Sequence, residues 1–169
     1  MDSSRLNAGL FTSAKSDWRT PRALFDLLDR EFAFDTDAAA NADNALCRTF
    51  YGPGSPVRQN ALTAAPWKGR CFLNPPYGKV IGEWTRKAWL TCVMGTPLVV
   101  ALLPARTDTL WFYNSCVRHA TEIRFIRGRI RFSEQGSAPF PSAIVIFRHA
   151  RMPLVVRWMA TGDFRVEQP

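Results

Sequence analysis

No apolar run in these 169 residues is longer than "PLVVALLP", Pro97 to Pro104, far short of the roughly 20 residues a membrane helix needs. No membrane partner is expected. Histidine occurs only twice, and the four cysteines, Cys47, Cys71, Cys92 and Cys116, stand far apart with no CxxC pair. That spacing argues against a zinc site and a disulfide framework, so no metal is expected and the thiols read as small buried side chains in a reducing cytoplasm. The opening "MDSSRLNAGLFTSAKS" lacks a basic start followed by an apolar stretch, which argues against a signal peptide; residues 1–16 read as a flexible polar leader. Acidic residues are scarce as well. Fourteen Asp and Glu face 22 Lys and Arg, a net charge of +8, and no acid lies between Asp43 and Glu83. A chain this basic implies a polyanionic partner, most often nucleic acid.

What is present reads as one α/β domain over residues 17–169. "TPRALFDLLDREF" predicts a helix with Thr20 as its cap, Pro21 at the first position and a stripe of Leu24, Leu27 and Leu28. "FAFDTDAAA" (32–40) starts as a strand and breaks into acidic and small residues, and "GPGSP" (52–56) is loop chemistry. "GRCFLN" (69–74) is a short apolar strand, "VIGEWTRKAWLTCVM" (80–94) a helix, and "PLVVALLP" a strand buried on both faces. A second good helix is expected over 107–120, a strand with a turn at Gly128 over 121–132, and further strands over 142–149 and 153–159. Helices alternating with very apolar strands predict a sheet covered on both faces.

The strand 69–74 ends in "NPPY", Asn74 to Tyr77. Proline has a fixed φ and holds the residue before it extended, so Asn74 and Pro75 are both stiffened where the strand stops. From background frequencies this tetrapeptide arises by chance in roughly one chain of this length per thousand or rarer. Strand ends are where open α/β sheets bind ligands. Asn74 offers a side-chain oxygen, Pro75 a carbonyl, Pro76 rigidity and Tyr77 a flat face. Two acceptors and a stacking surface suit a planar group bearing an amine, such as an adenine turned out of a helix. Drawing its N–H hydrogens toward fixed acceptors frees the nitrogen lone pair for attack, and acceptors that need not reorganise do this best.

"NPPY" is the motif of amino-group methyltransferases, and the wider arrangement resembles the phage-type DNA N-6-adenine methyltransferase (Dam-like) family. The matching pieces are "DWRTP" (17–21), "FDTDAAA" (34–40), "NPPYG" (74–78), "EWTRKA" (83–88), "LLPARTDTLWF" (102–112), "IRGRIRF" (126–132) and "PFPSAIVIF" (139–147). The resemblance implies a Rossmann-like class I fold, S-adenosylmethionine as cofactor and double-stranded DNA as partner, with the adenine N6 amine methylated through base flipping. It also implies catalytic roles for Asn74, Pro75, Pro76 and Tyr77. The cofactor would be held by Asp17, Trp18, Thr20 and Pro21 at its methionine end, by Asp37 and Ala38 at the first strand end, and by Asn74. Asn60, in "NAL", stands where the family usually has Asp and would meet the cofactor's adenine amine. The family is commonly phage-encoded, which places the enzyme in a host cytoplasm and implies evasion of restriction.

Arg124, Arg127, Arg129 and Arg131 interleave with Phe125, Ile126, Ile130 and Phe132. That pattern predicts phosphate contacts on one face, aided by Lys79 and flanked by Arg58 and Lys68. No separate target-recognition domain is expected, so sequence preference falls to loops 52–60 and 132–141. The same tetrapeptide serves enzymes acting on protein glutamine or RNA. A charge of +8 disfavours the glutamine reading and does not separate RNA from DNA. A decayed, DNA-binding relative is the remaining alternative, counted against by the intact NPPY.

Overall fold

The computed structural model describes residues 18–133, 136–150, 152–160 and 162. The expected leader and Asp17 lie outside the described residues. Helix α1, Arg22–Phe32, leads into the two-residue strand β1, Thr36–Asp37, and then β2, Thr49–Phe50. Strand β3, Arg70–Leu73, helix α2, Ile81–Val93, and strand β4, Leu98–Pro104, follow. A π-helical turn, Phe112–Val117, precedes β5, Glu122–Arg127. Beyond it come β6, Arg131–Ser133, β7, Gly136–Ser137, β8, Ser142–Arg148, and β9, Val155–Ala160.

Seven of these strands form one sheet in the order β2-β1-β3-β4-β8-β5-β9. Neighbours run parallel from β2 to β4, β8 is antiparallel to both β4 and β5, and β9 is parallel to β5. The carboxyl ends of β1, β3, β4 and β5 therefore share one edge of the sheet. The α/β expectation holds.

All seven residues of β4 are buried, as an apolar run flanked by prolines requires. Successive residues face opposite sides. Val99, Ala101 and Leu103 pack under α2 and the π-helical turn, while Leu98, Val100 and Leu102 pack under α1. The apolar stripe of α1 is Leu24, Phe25, Leu28 and Phe32; Leu27, expected in it, is only half-buried. Phe25 meets Phe72 of β3 edge to face at 5.2 Å, which fixes the helix against the strand that ends at Asn74.

The second helix is shorter and wider than expected. Residues 107–109 form a turn, and the segment that follows is π-helical, so Asp108 opens no helix. Bulky Trp111 and Phe112 sit where α2 comes close: a Cβ on Gly82 would lie 3.2 Å from that of Trp111. Three cysteines are buried and Cys47 half-buried, all four with free thiols; burial pushes the Cys92 thiol up to about 12. Among the described residues no helix is long and apolar enough to cross a membrane.

Arg124 joins α1 to β5. Its guanidinium donates to both carboxylate oxygens of Glu31, at 2.6 and 2.5 Å, and to Glu122 at 2.8 Å, with its side chain only 15% exposed. Arg157 of β9 also reaches Glu122 but is 63% exposed. Replacing Arg124 by Met removes the bidentate partner of Glu31 and leaves the largely buried Glu122 with Arg157 alone, and should cost about 1–3 kcal/mol. Arg157→Met should cost under about 1 kcal/mol. Thermal unfolding of the two variants tests this ordering.

Candidate functional site

Strand β1 has β2 on one side and β3 on the other, so the chain leaves β1 in one direction and later returns to its opposite flank. Such a reversal opens a crevice at the carboxyl ends of the two central strands. A cavity of about 290 Å³ lies there. The end of β1 and the segment after it supply Asp37, Ala39, Asn41, Asp43, Asn44, Ala45 and Leu46; β3 and the turn beyond it supply Phe72, Asn74, Pro75 and Pro76; and Trp18, Arg19 and Thr20 close it.

The loop after β1 is built from side chains bonding to backbone. Asn41 Oδ1 accepts the N–H groups of Asp43 and Asn44 at 2.9 and 3.1 Å, and Asn44 Oδ1 accepts that of Asn41 at 2.7 Å. Asp37 anchors both ends: Oδ1 accepts the Ala39 N–H at 3.3 Å and Oδ2 the Leu46 N–H at 3.1 Å. Burial pushes the Asp37 carboxyl up to about 6, against the pull of those two N–H groups. Ala40 donates its N–H to the Tyr51 carbonyl, and Gly52 passes so close that a Cβ there would lie 1.9 Å from the Ala40 oxygen. Only glycine fits, at φ +143°.

Asn74 is oriented by the chain segment that precedes α1. Its Nδ2 donates to the Trp18 carbonyl at 2.6 Å and to Thr20 Oγ1 at 3.0 Å. A carbonyl can only accept, so the Trp18 contact decides which end of the amide is nitrogen. Asn74 Oδ1 is then a buried acceptor with no hydrogen-bond partner. Unpartnered buried acceptors are uncommon and costly, and this one, without a partner among the described residues, belongs to a residue that lines the cavity.

Tyr77 donates its hydroxyl to the Leu102 carbonyl at 3.2 Å, just past the last β3–β4 pair, Leu73 to Ala101. Desolvation drives the phenol far above its ordinary value. Its ring meets Phe140 at 5.5 Å and Phe132 at 6.5 Å, both edge to face, and Trp18 meets the same two phenylalanines. No described ring is stacked flat on Tyr77.

The expected site residues thus divide. Asn74, Pro75, Pro76, Trp18, Thr20 and Asp37 come together around the cavity. Pro21 caps α1 without a side-chain bond, and Thr20, expected as that cap, turns to Asn74 instead. Ala38 is wholly buried in the core, and its neighbour Ala39 lines the cavity instead. Asn60 spends its oxygen on the N–H groups of Leu62 and Thr63, at 3.0 and 3.3 Å, and is not among the lining residues. Arg124 is taken out of the basic set by Glu31 and Glu122. Gly128, at φ +96°, ends β5 just after Arg127, so Arg129 and Arg131 leave the strand that carries Arg124 and Arg127; Arg127, Arg129 and Arg131 are exposed at the cavity's edge of the sheet, as is Lys79. Lys68 precedes β3 and lies at the opposite edge. Sequence reading missed Asn41, Asp43 and Asn44; the signal was an Asn-x-Asp-Asn turn close behind the first strand.

The chain matches the sequence profile of "DNA N-6-adenine-methyltransferase (Dam)" over residues 8–157. It is 37% identical over 124 residues to the DNA N-6-adenine-methyltransferase of Haemophilus phage HP1, a match covering 71% of this chain and 68% of that protein. With the DNA N-6-adenine-methyltransferase of Escherichia phage T1 it shares 31% identity over 113 residues, 64% of this chain and 44% of that one. A solved Listeria monocytogenes structure, described as a class I S-adenosylmethionine-dependent methyltransferase, superposes over 93% of this chain and 71% of its own. The TM-score is 0.53 at 12% identity, a likeness of fold alone.

The buried carboxyl gives the site a pH signature. Asp37 keeps its proton in the fold up to about 6, whereas its ordinary value is 3.8. The folded chain binds more protons than the unfolded one between those values, so this group's contribution to stability is greatest below about pH 4 and falls as pH rises to about 6. The two-unit gap corresponds to roughly 2–3 kcal/mol. Unfolding free energies from pH 4 to 7 should fall more steeply for the wild type than for Asp37→Asn; parallel curves would show that Asp37 is already ionised at pH 4.

Proposed function

The chain belongs to the DNA N-6-adenine-methyltransferase (Dam) family, and we propose that it transfers the methyl group of S-adenosylmethionine to the N6 amine of an adenine in double-stranded DNA, the base being turned out of the helix to meet Asn74–Tyr77. The observation that carries this reading is the unpartnered, buried Oδ1 of Asn74. An acceptor left vacant at the end of a strand, beside a cavity at the sheet's reversal point, is suited to an N–H that arrives with the substrate.

The cavity's donor set fits the cofactor. Asp43 at the rim and the Asn41 and Asn44 turn offer groups for a ribose and an amino-acid end, with Leu46 and Phe72 as apolar walls. Asp37 offers a carboxylate above about pH 6. When bound, S-adenosylmethionine supplies an electron-poor methyl group on a sulfonium. Asn74 Oδ1 accepts one N–H of the adenine amine, and the Pro75 carbonyl is the second acceptor on the same turn. Those two bonds would withdraw the lone pair from the ring and free it for the methyl carbon, whose bond to the sulfonium sulfur would break to leave a neutral thioether. Neither acceptor is basic enough to keep a proton, so the one released after transfer passes to water. Tyr77 supplies a ring face for the base, held in place by its bond to Leu102 and its edge contacts to Phe132 and Phe140.

Arg127, Arg129, Arg131 and Lys79 lie at the same sheet edge and are exposed, which supports a role in holding phosphates that flank the extruded base. The carboxyl groups of the site sit inside or at the rim of the cavity, the free cations around it.

Two experiments test the reading. Asn74→Ala should lower transfer of labelled methyl to adenine in duplex DNA by roughly 100-fold or more. Its affinity for S-adenosylmethionine, by calorimetry, should stay within about threefold; an active variant would refute the mechanism. Substituting Arg127, Arg129 or Arg131 by Ala should each reduce the slope of log K against log salt for DNA binding by about 1. Arg124→Met, which removes a guanidinium already held by two carboxylates, should leave that slope unchanged.

A further inference from the structure

The amide of Asn74 has two N–H donors, and both are spent on one short segment: the Trp18 carbonyl at 2.6 Å and Thr20 Oγ1 at 3.0 Å. Two bonds from a planar group to two fixed acceptors define its plane as well as its direction. We propose that Thr20 is a positioning residue for methyl transfer, holding the plane of the Asn74 amide so that Oδ1 points at the incoming amine.

Three observations carry this. Thr20 immediately precedes Pro21, which caps α1 and has no side-chain group to bond to the helix's first N–H groups. The Thr20 hydroxyl reaches across 54 residues of sequence to Asn74. The Trp18 carbonyl alone already prevents the amide from flipping, because an oxygen there would face another acceptor. It does not prevent rocking about that one bond, and the second bond from Thr20 does. Finally, the oxygen so aimed is buried and unpartnered, so nothing else in the described structure holds it in place.

The inference rests on the methyl-transfer reading for its consequence but not for its geometry, and the test separates the two. In the protein without ligands, the Asn74 side-chain amide is assigned in a nitrogen–proton spectrum by its loss in Asn74→Ala. In Thr20→Val, which keeps the shape and removes the acceptor, one of its two protons should move toward the free-amide position and exchange at least about tenfold faster with water. In Thr20→Ser both signals should return toward wild type. An unmoved amide signal in Thr20→Val would overturn the proposal, whatever the enzyme's activity.

The rate is then read at saturating cofactor and DNA. Misplacement of a reacting group by about 1 Å costs on the order of 100-fold, so Thr20→Val should slow single-turnover transfer by about 10- to 100-fold. Thr20→Ser should recover most of that loss, with the cofactor dissociation constant and the melting temperature of both variants near wild type. A loss confined to cofactor affinity, or a serine variant as slow as the valine one, would overturn it. A wild-type protein that methylates no adenine would defeat the functional reading while leaving the spectroscopic result to stand.

Discussion

Two residues of parallel pairing, Thr36 with Cys71 and Asp37 with Phe72, join the β1 side of the sheet to the β3 side. So short a ladder is marginal alone, and it is extended at both ends by other bonds. Upstream, Asp35 N–H donates to the Arg70 carbonyl at 2.9 Å, Asp35 Oδ2 accepts the Arg70 N–H at 2.8 Å, and Thr36 Oγ1 donates to the Lys68 carbonyl at 2.9 Å. Downstream, Ala38 N–H donates to the Phe72 carbonyl at 2.8 Å. Everything chemical follows from this join. It sets the loop that begins at Ala38 beside the turn that begins at Asn74, and the cavity is the space left between them.

What the sequence made legible is what local chemistry controls. An apolar run between prolines is a buried strand, and β4 is one; an asparagine followed by two prolines stops β3 where expected. Pairings across long sequence separations were not legible. Nothing near Thr20 says that its hydroxyl serves Asn74 rather than a helix end, and nothing near Arg124 distinguishes it from Arg127 until Glu31, 93 residues away, is brought against it. Ala38 and Ala39 are indistinguishable in composition; the pleat of the strand end sends one into the core and the other to the cavity. The resemblance assigns Asn60 to the cofactor's adenine amine. The backbone N–H groups two and three residues on are nearer partners, and they hold its oxygen.

Charge is sorted by depth. Asp37 is buried at the cavity floor and resists ionisation, and Asp43 stands at the rim. Exposed guanidinium and ammonium groups occupy the turns beyond β3 and β5. Acidic groups thus gather at the cavity and, Arg19 apart, exposed basic groups on the turns around it, within the width of one sheet edge. Such a division is what the proposed pairing of a cationic cofactor group inside with a polyanion outside would use.

The double proline has a second consequence beside rigidity. Asn41 and Asn60 both turn their side-chain oxygens onto the N–H two residues ahead, at Asp43 and Leu62. This is the ordinary local fate of an asparagine outside a helix or strand. Asn74 is followed by Pro75 and Pro76, and neither has an N–H to offer. The nearest backbone donors ahead are removed chemically rather than sterically. Its nitrogen, meanwhile, is drawn to Trp18 and Thr20. The sequence therefore prevents Asn74 from satisfying its oxygen locally, which is what the proposed role of that oxygen requires. A stiff turn could be made from many residue pairs; a stiff turn that also withholds both N–H groups needs two prolines.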